Sequence, residues 1–313
     1  LLRNGEVPVR TDTVMRDRDP GGARPRHQRL HEHRPGSQAA FRWSVLLNAL
    51  LSGLQVVIGV AFGSLALIGD ALHNLGDVAG LLFGWGAERL STRPTSEHFT
   101  YGYGRSTELA ALANALLICT AGLVVMVEAV QRLAHPVPVL AGPVAWAAAA
   151  GVLVNLLSAR AFGSGRQRDL NRRAAVVHLL TDAAVSAAVL VSALLVMLTH
   201  MSWIDSIAAL GVGLAVATTG WELLRESVSL SLDAVPRHID LEAVTRTLAA
   251  LPGVEDVHHL HVWAISTSQT ALTVHLRRRP ALPDMELLHR AKQELAGLGI
   301  VHSTIQLEPP QAE

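Results

Sequence analysis

The sequence predicts an all-α six-helix transmembrane domain followed by a small α+β domain with the element order αββαβ. Three observations carry that expectation. Half of the 313 residues are hydrophobic and only 17 % are charged, too apolar a balance for an ordinary soluble chain. Six apolar segments, at about 41–62, 65–89, 105–133, 141–163, 173–199 and 204–226, are each long enough for a helix rising about 1.5 Å per residue to cross roughly 30 Å of hydrocarbon. Beyond them the hydrophobic runs shorten, charge rises, and Pro236 and Pro252 punctuate the chain. The expected division is a disordered basic tail at 1–40, a six-span domain at 41–228 and an α+β domain at 229–310.

Residues 1–40 are rich in Arg, Pro, Gly and His and poor in apolar residues, a composition that cannot bury a core. His27, His31 and His33 fall there, a short tract able to hold metal only loosely. No charged stretch followed by a short apolar run and a small-residue cleavage site is present, so no cleavable signal peptide is expected. The single Cys119 excludes a disulfide framework and a cysteine-based zinc site.

The connections between spans set the expected topology. Those at 134–142 and 199–205 contain no Lys or Arg. On the other side, Arg29, Arg34 and Arg42 precede the first span, and Arg89, Arg93 and Arg105 bracket the 2–3 loop. Arg160, Arg166, Arg168, Arg172 and Arg173 crowd the 4–5 loop, and Arg225 follows the sixth span. Apart from Arg132, positive charge near the spans lies on one side, which predicts cytoplasmic N- and C-termini.

In the C-terminal part, Ile239 to Leu251 reads as an amphipathic helix that starts near Asp240 and stops before Gly253. Val254 to Ile265 and Gln269 to Arg277 read as paired strands, Asp284 to Leu298 as a second helix and Ile300 to Glu308 as a third strand. That order suggests a small open-faced sandwich with a three-stranded sheet.

Chemistry enters inside the apolar spans. Asp70, His73 and Asp77 fall at i, i+3 and i+7 in the second span, and His178 and Asp182 at i and i+4 in the fifth, so each set shares one helix face. Ionisable groups at membrane depth cost roughly 2.5–3.5 kcal/mol each. Antiparallel packing of spans two and five brings the two His-x-x-x-Asp pairs together as two imidazoles and two carboxylates, a donor set suited to tetrahedral zinc. Two carboxylates and one divalent cation sum to zero charge, so the filled site is far cheaper in low dielectric than the empty, doubly ionised one. Protons compete for the same groups, the physical basis of metal/proton exchange. Asp70 reads as an entrance or supporting group. An intramembrane metal hydrolase would need a His-Glu-x-x-His helix or a clear general base beside an open metal position, and neither is visible. A metal sensor worked by the C-terminal part alone leaves both intramembrane pairs unexplained. The chain reads as a transporter rather than an enzyme.

At these residues the sequence resembles the cation diffusion facilitators, in particular their zinc-transporting, bacterial cobalt–zinc–cadmium efflux branch. The likeness runs from about 38 to 308. It includes Gly63-Ser-Leu-Ala-Leu-Ile-Gly-Asp-Ala-Leu-His-Asn-Leu-Gly-Asp77, Tyr101-Gly-Tyr-Gly-Arg-Ser-Thr-Glu-Leu-Ala-Ala-Leu-Ala-Asn114, Asn171-Arg-Arg-Ala-Ala-Val-Val-His-Leu-Leu-Thr-Asp182 and Val257-His-His-Leu-His-Val-Trp263. The resemblance implies a homodimeric zinc/proton antiporter of the cell membrane, handling no nucleic acid, with zinc as transported substrate and protons as counter-ion. It implies that His73, Asp77, His178 and Asp182 hold the transported ion, with His73 favouring zinc. It also implies a ferredoxin-like, metallochaperone-like C-terminal domain serving regulation and dimerisation. There the family's cytoplasmic metal ligands map onto His261 and His275, with Glu308 able to complete the set. Simple alternation puts His259, His261 and Trp263 on the face opposite Leu260 and Val262. Relatives often carry a His where Val301 stands; here it follows at His302, and a slip of one residue on a strand turns the side chain to the other face.

Overall fold

The computed structural model describes residues 35–163, 170–266, 269–279 and 283–310. Six long helices come first: α1 Pro35–Phe62, α2 Leu65–Ser91, α3 Ser106–Ala134, α4 Ala141–Gly163, α5 Leu170–Thr199 and α6 Trp203–Ser231. All six are long and apolar enough to cross a membrane. The helix α1 begins at Pro35 rather than at 41, so the last residues of the expected disordered tail are helical; proline's fixed φ suits the first helical position. The rest of that tail, with its histidines, lies outside the described residues.

In the bundle α3 lies along α6 and α4 along α5, while α2 touches α3, α5 and α6. Its core is built from small and β-branched side chains: Ala66, Ala129, Val144, Ala148, Val189, Ala209 and Val216 are all buried. Leu50, Val57 and Val60 on α1, by contrast, point outward. Large apolar residues outside and small ones between helices is the pattern expected in lipid, where close backbone approach replaces hydrophobic driving force. The contact of α3 with α6 shows why. A Cβ on Gly122 would stand 2.8 Å from the Ala217 amide nitrogen and 3.0 Å from the Gly213 carbonyl oxygen.

The start of α2 is fixed from two directions. Ser64 is its N-cap, accepting from Leu67 N at 3.1 Å. The Ser64 hydroxyl donates to Asp205 Oδ1 at 2.6 Å, while Asp205 Oδ2 accepts from the Leu65 and Ala66 amides at 2.7 and 3.3 Å. A buried carboxylate on α6 thus satisfies donors that a helix N-terminus leaves over. Just before the cap, Gly63 turns the chain at φ 79, and its carbonyl accepts from Arg132 Nη1 at 2.7 Å. The Arg132 Nε pairs with Glu128 at 2.9 Å.

The C-terminal elements are α7 Leu241–Ala249, β1 Val254–Ser266, β2 Gln269–Arg278, α8 Asp284–Gly297 and β3 His302–Glu308. Asp240 caps α7, accepting from the Glu242 and Ala243 amides. The sheet order is β1-β2-β3, with β1 antiparallel and β3 parallel to β2; the parallel pair is joined through α8, as a crossover requires. Leu272, Val274 and Leu276 of β2 pack with Val244 and Leu248 of α7 and Leu287, Ala291 and Leu295 of α8. Both helices therefore cover one sheet face, and alternation sends Thr273, His275 and Arg277 to the open face. The 2–3 loop meets this domain: Arg105 pairs with Asp233, and Tyr101 meets the His302 ring edge-on at 5.6 Å.

Asp205→Ala strips the partner from one hydroxyl and two backbone amides at a buried helix start. It should lower stability by about 2–4 kcal/mol, read as a drop in the thermal unfolding midpoint in detergent, and by more than Ser64→Ala. Equal midpoints for parent and variant would contradict this role for Asp205.

Candidate metal centres

Helices α2 and α5 pass each other in opposite directions, so a residue one turn along α2 meets one a turn back along α5. That brings His73, Asp77, His178 and Asp182 together. His73 Nε2 lies 3.5 Å from Asp182 Oδ1, and His178 Nε2 lies 3.2 Å from Asp77 Oδ2 and 3.6 Å from Asp182 Oδ2. The two imidazoles stand edge-on at 6.4 Å between centroids. Donors at about 2.0–2.1 Å from a tetrahedral zinc ion are separated from each other by about 3.3–3.4 Å. The three separations are each within a few tenths of an ångström of that value, with Asp182 turning one carboxylate oxygen to His73 and the other to His178. His73, Asp77 and Asp182 present one ligand atom each within 4.8 Å of one another; His178 stands outside that group and reaches it through Asp77 and Asp182. His73 Nδ1 and Asp182 Oδ1 are buried and make no hydrogen bond among the described residues, which leaves them free to turn toward an ion or a proton.

The site is not equally accessible from both ends. The His73 and Asp182 side chains are 11 % and 3 % exposed, whereas His178 and Asp77 are 51 % and 31 % exposed. The open pair lies one turn nearer the end of the bundle that carries the 2–3 and 4–5 connections. One turn toward the opposite end, Ser186 on α5 donates to Asp70 on α2 at 2.8 Å, and beyond that the Ser64–Asp205 cap closes the start of α2. Asp70 is therefore not gathered with the four donors; it ties α2 to α5 on their closed side. Gln55 and Asn155 add two further buried carbonyl oxygens without a hydrogen-bond partner among the described residues.

A second cluster lies on the open face of the C-terminal sheet. Glu308 of β3 accepts from both His258 Nε2 and His275 Nδ1, each at 2.9 Å, and these three groups have metal-ligand spacing. Partial desolvation works to raise the Glu308 carboxyl, but its hydrogen bonds to His275 and His258 and their charge hold it below the ordinary glutamate range. It is then anionic at neutral pH, and its pairing is lost only as pH falls through that lowered value. On its other side His258 Nδ1 lies 3.1 Å from Asp256 Oδ2, which also binds Arg277 Nη1 at 3.1 Å. A carboxylate behind a histidine in this way fixes ring orientation for metal binding.

His275 and Glu308 thus meet as the sequence suggested, with His258 as the third member. The structure does not bring His261 and His302 to the cluster: His261 lines a groove with Asp233, Leu241, Trp263 and Thr273, and His302 faces Tyr101. The reason is a bulge. Val257 pairs with Leu276 and His258 with His275, but the next matched pair is His261 with Thr273. One extra residue in β1 shifts the phase and moves His258 from the core face, where simple alternation places it with Leu260, to the open face. The adjacent histidine doublet, facing a histidine on the next strand, was the available signal.

Comparison with known proteins gives a consistent result. The family model of the cation efflux transmembrane domain matches residues 42–230, and that of the cation efflux protein cytoplasmic domain matches 236–310. The chain is 35 % identical over 280 residues to the metal cation efflux system protein CzcD of Cupriavidus metallidurans, covering 89 % of each chain. It is 34 % identical over 287 residues to the zinc transporter ZitB of Escherichia coli, covering 90 % of this chain and 91 % of that one. A cadmium, cobalt and zinc/H(+)-K(+) antiporter of Bacillus velezensis is 30 % identical over 288 residues, covering 89 % and 91 %. A solved structure of the metal-bound C-terminal domain of the CzcD transporter is 43 % identical over 22 % of this chain and 99 % of its own, with a TM-score of 0.22.

The two clusters are far apart in sequence and share no residue, so they should titrate independently. Equilibrium dialysis of the detergent-solubilised chain against zinc is expected to give two ions per chain, with one lost in Asp182→Ala and the other in Glu308→Ala. Loss of both ions from either single variant would contradict separate centres.

Proposed function

The chain belongs to the cation efflux family, the cation diffusion facilitators, and from that premise we propose that it exports zinc in exchange for protons by alternating access around His73, Asp77, His178 and Asp182. Membership makes it an integral membrane protein that moves metal cations. The observation that carries the finer reading is the approach of two imidazoles and two carboxylates from α2 and α5, each imidazole within 3.6 Å of a carboxylate oxygen. Such a set suits zinc, whose filled shell imposes no geometric preference of its own. The names of relatives, one a zinc transporter and others extending to cadmium and cobalt, fit a site of this kind.

Electrostatics supplies the exchange. With the ion bound, two carboxylates and a divalent cation are neutral; without it, two negative charges remain at membrane depth. Protons taken up by the same four groups restore neutrality, so departure of the metal and arrival of protons are coupled. Alternating access needs one side open and one closed at a time. The exposure of Asp77 and His178, set against the Asp70–Ser186 and Ser64–Asp205 contacts, fits a state open toward the Arg-rich connections. By charge bias that side is cytoplasmic, which makes this the loading state for export from the cell, across the plasma membrane. The match to the cytoplasmic-domain model supports a homodimer joined through that domain, and the His258–His275–Glu308 cluster supports metal binding there.

In proteoliposomes containing zinc on one side and a pH dye inside, zinc movement should be accompanied by opposite proton movement and accelerated by an imposed proton gradient. Asp77→Ala and His178→Ala should abolish zinc movement while the protein still elutes as the parent does. Zinc flux indifferent to the pH gradient would overturn proton coupling, and full transport by both variants would overturn the assignment of the site.

A further inference from the structure

We propose that His259 is the fourth ligand of the C-terminal metal centre, so that a single chain supplies a closed three-histidine, one-glutamate set; this rests on reading the His258–His275–Glu308 cluster as a metal centre. His259 is the extra residue of the β1 bulge. Its backbone stands at φ 47, in the left-handed region that a residue bearing a Cβ seldom occupies. Bulges of this type commonly put glycine there. On a regular strand His258 and His259 point to opposite faces. Here Val257 and Leu260 both pack toward the core, and the two residues between them are displayed on the open side.

The consequence is a group of three rings. Centroid separations are 5.5 Å for His258 and His259, 5.6 Å for His258 and His275, and 5.0 Å for His259 and His275. Two imidazoles bound to one tetrahedral ion, with metal–nitrogen bonds near 2.0–2.1 Å, have centroids about 5.2 Å apart. All three separations lie close to that figure. Glu308 touches the rings of His258 and His275, and these three have ligand spacing before His259 is added. The pairing of His258 with Asp256 supplies the outer carboxylate that holds a ligating imidazole in place. A bulge in an unfavourable backbone conformation, at a position that turns a second consecutive imidazole to the same face, is explained if that imidazole binds the ion.

Four protein donors make a centre complete within one chain, with no coordination position left for water. Three would leave an open corner.

The test uses the full-length protein in detergent with His178→Ala and Asp182→Ala, so that the membrane site does not report, and cobalt(II) as the probe. Into this background His259→Gly is introduced. Glycine takes the left-handed conformation without strain, so the metal-free protein should melt no lower than its parent. Cobalt affinity should fall by at least about tenfold, and the visible bands should shift as water replaces nitrogen. Unchanged affinity and an unchanged spectrum in His259→Gly would overturn the proposal. A control separates this from failure of the underlying reading: His258→Ala and Glu308→Ala should each abolish cobalt binding. If they do not, the cluster is no metal centre, whatever His259 does.

Discussion

Two carboxylates cannot stay ionised side by side in hydrocarbon without compensating charge. Much of the structure follows from that constraint. It places Asp77 and Asp182 within reach of His73 and His178, and it demands that α2 and α5 keep a fixed register, because a shift of one helical turn would separate the pairs. The small-residue packing of α3 against α6 and of α4 against α5 supplies the rigid surroundings. The Asp205 cap fixes where α2 begins, and the Ser186–Asp70 hydrogen bond ties α2 to α5 on the closed side. The Asp205 cap and the Ser186–Asp70 bond both lie on the side of the four donors away from the 2–3 and 4–5 connections. The bundle is therefore braced at one end and opens at the other.

The C-terminal domain meets the bundle at that open end. The 2–3 loop follows α2 directly, and its Arg105 and Tyr101 meet Asp233 and His302 of the C-terminal part. A rearrangement at the open end of α2 would disturb these contacts. His302, which the sheet keeps away from the His258–His275–Glu308 cluster, belongs to this contact instead.

What could be read from the residues depended on regularity. A helix has a fixed period, so His73 with Asp77 and His178 with Asp182 were assignable to single faces, and apolar length placed the six spans, missing only the polar ends of α1 and α6 by five or six residues. Alternation likewise set Leu260 and Val262 apart from His261, and both apolar residues pack on the core side. It failed where the period breaks. The left-handed backbone at His259 adds one residue to β1, and the assignments from Asp256 to His258 change side; His258 joins the cluster in which the sequence places His261. The link from Asp205 to Ser64 joins residues 141 apart in sequence and has no local signature. Neither does Asp70–Ser186, whose partners become neighbours only once α2 and α5 have packed.

The central claim is that metal and protons occupy the same four groups in turn. Calorimetry of zinc binding in buffers of different ionisation enthalpy counts the protons released per ion bound. In a Glu308→Ala background, where the membrane site alone reports, zinc binding near neutral pH should release protons, and His178→Ala should remove that release together with the binding. Tight zinc binding that releases no protons at any pH would contradict the claim, because an empty site already ionised would have nothing to exchange.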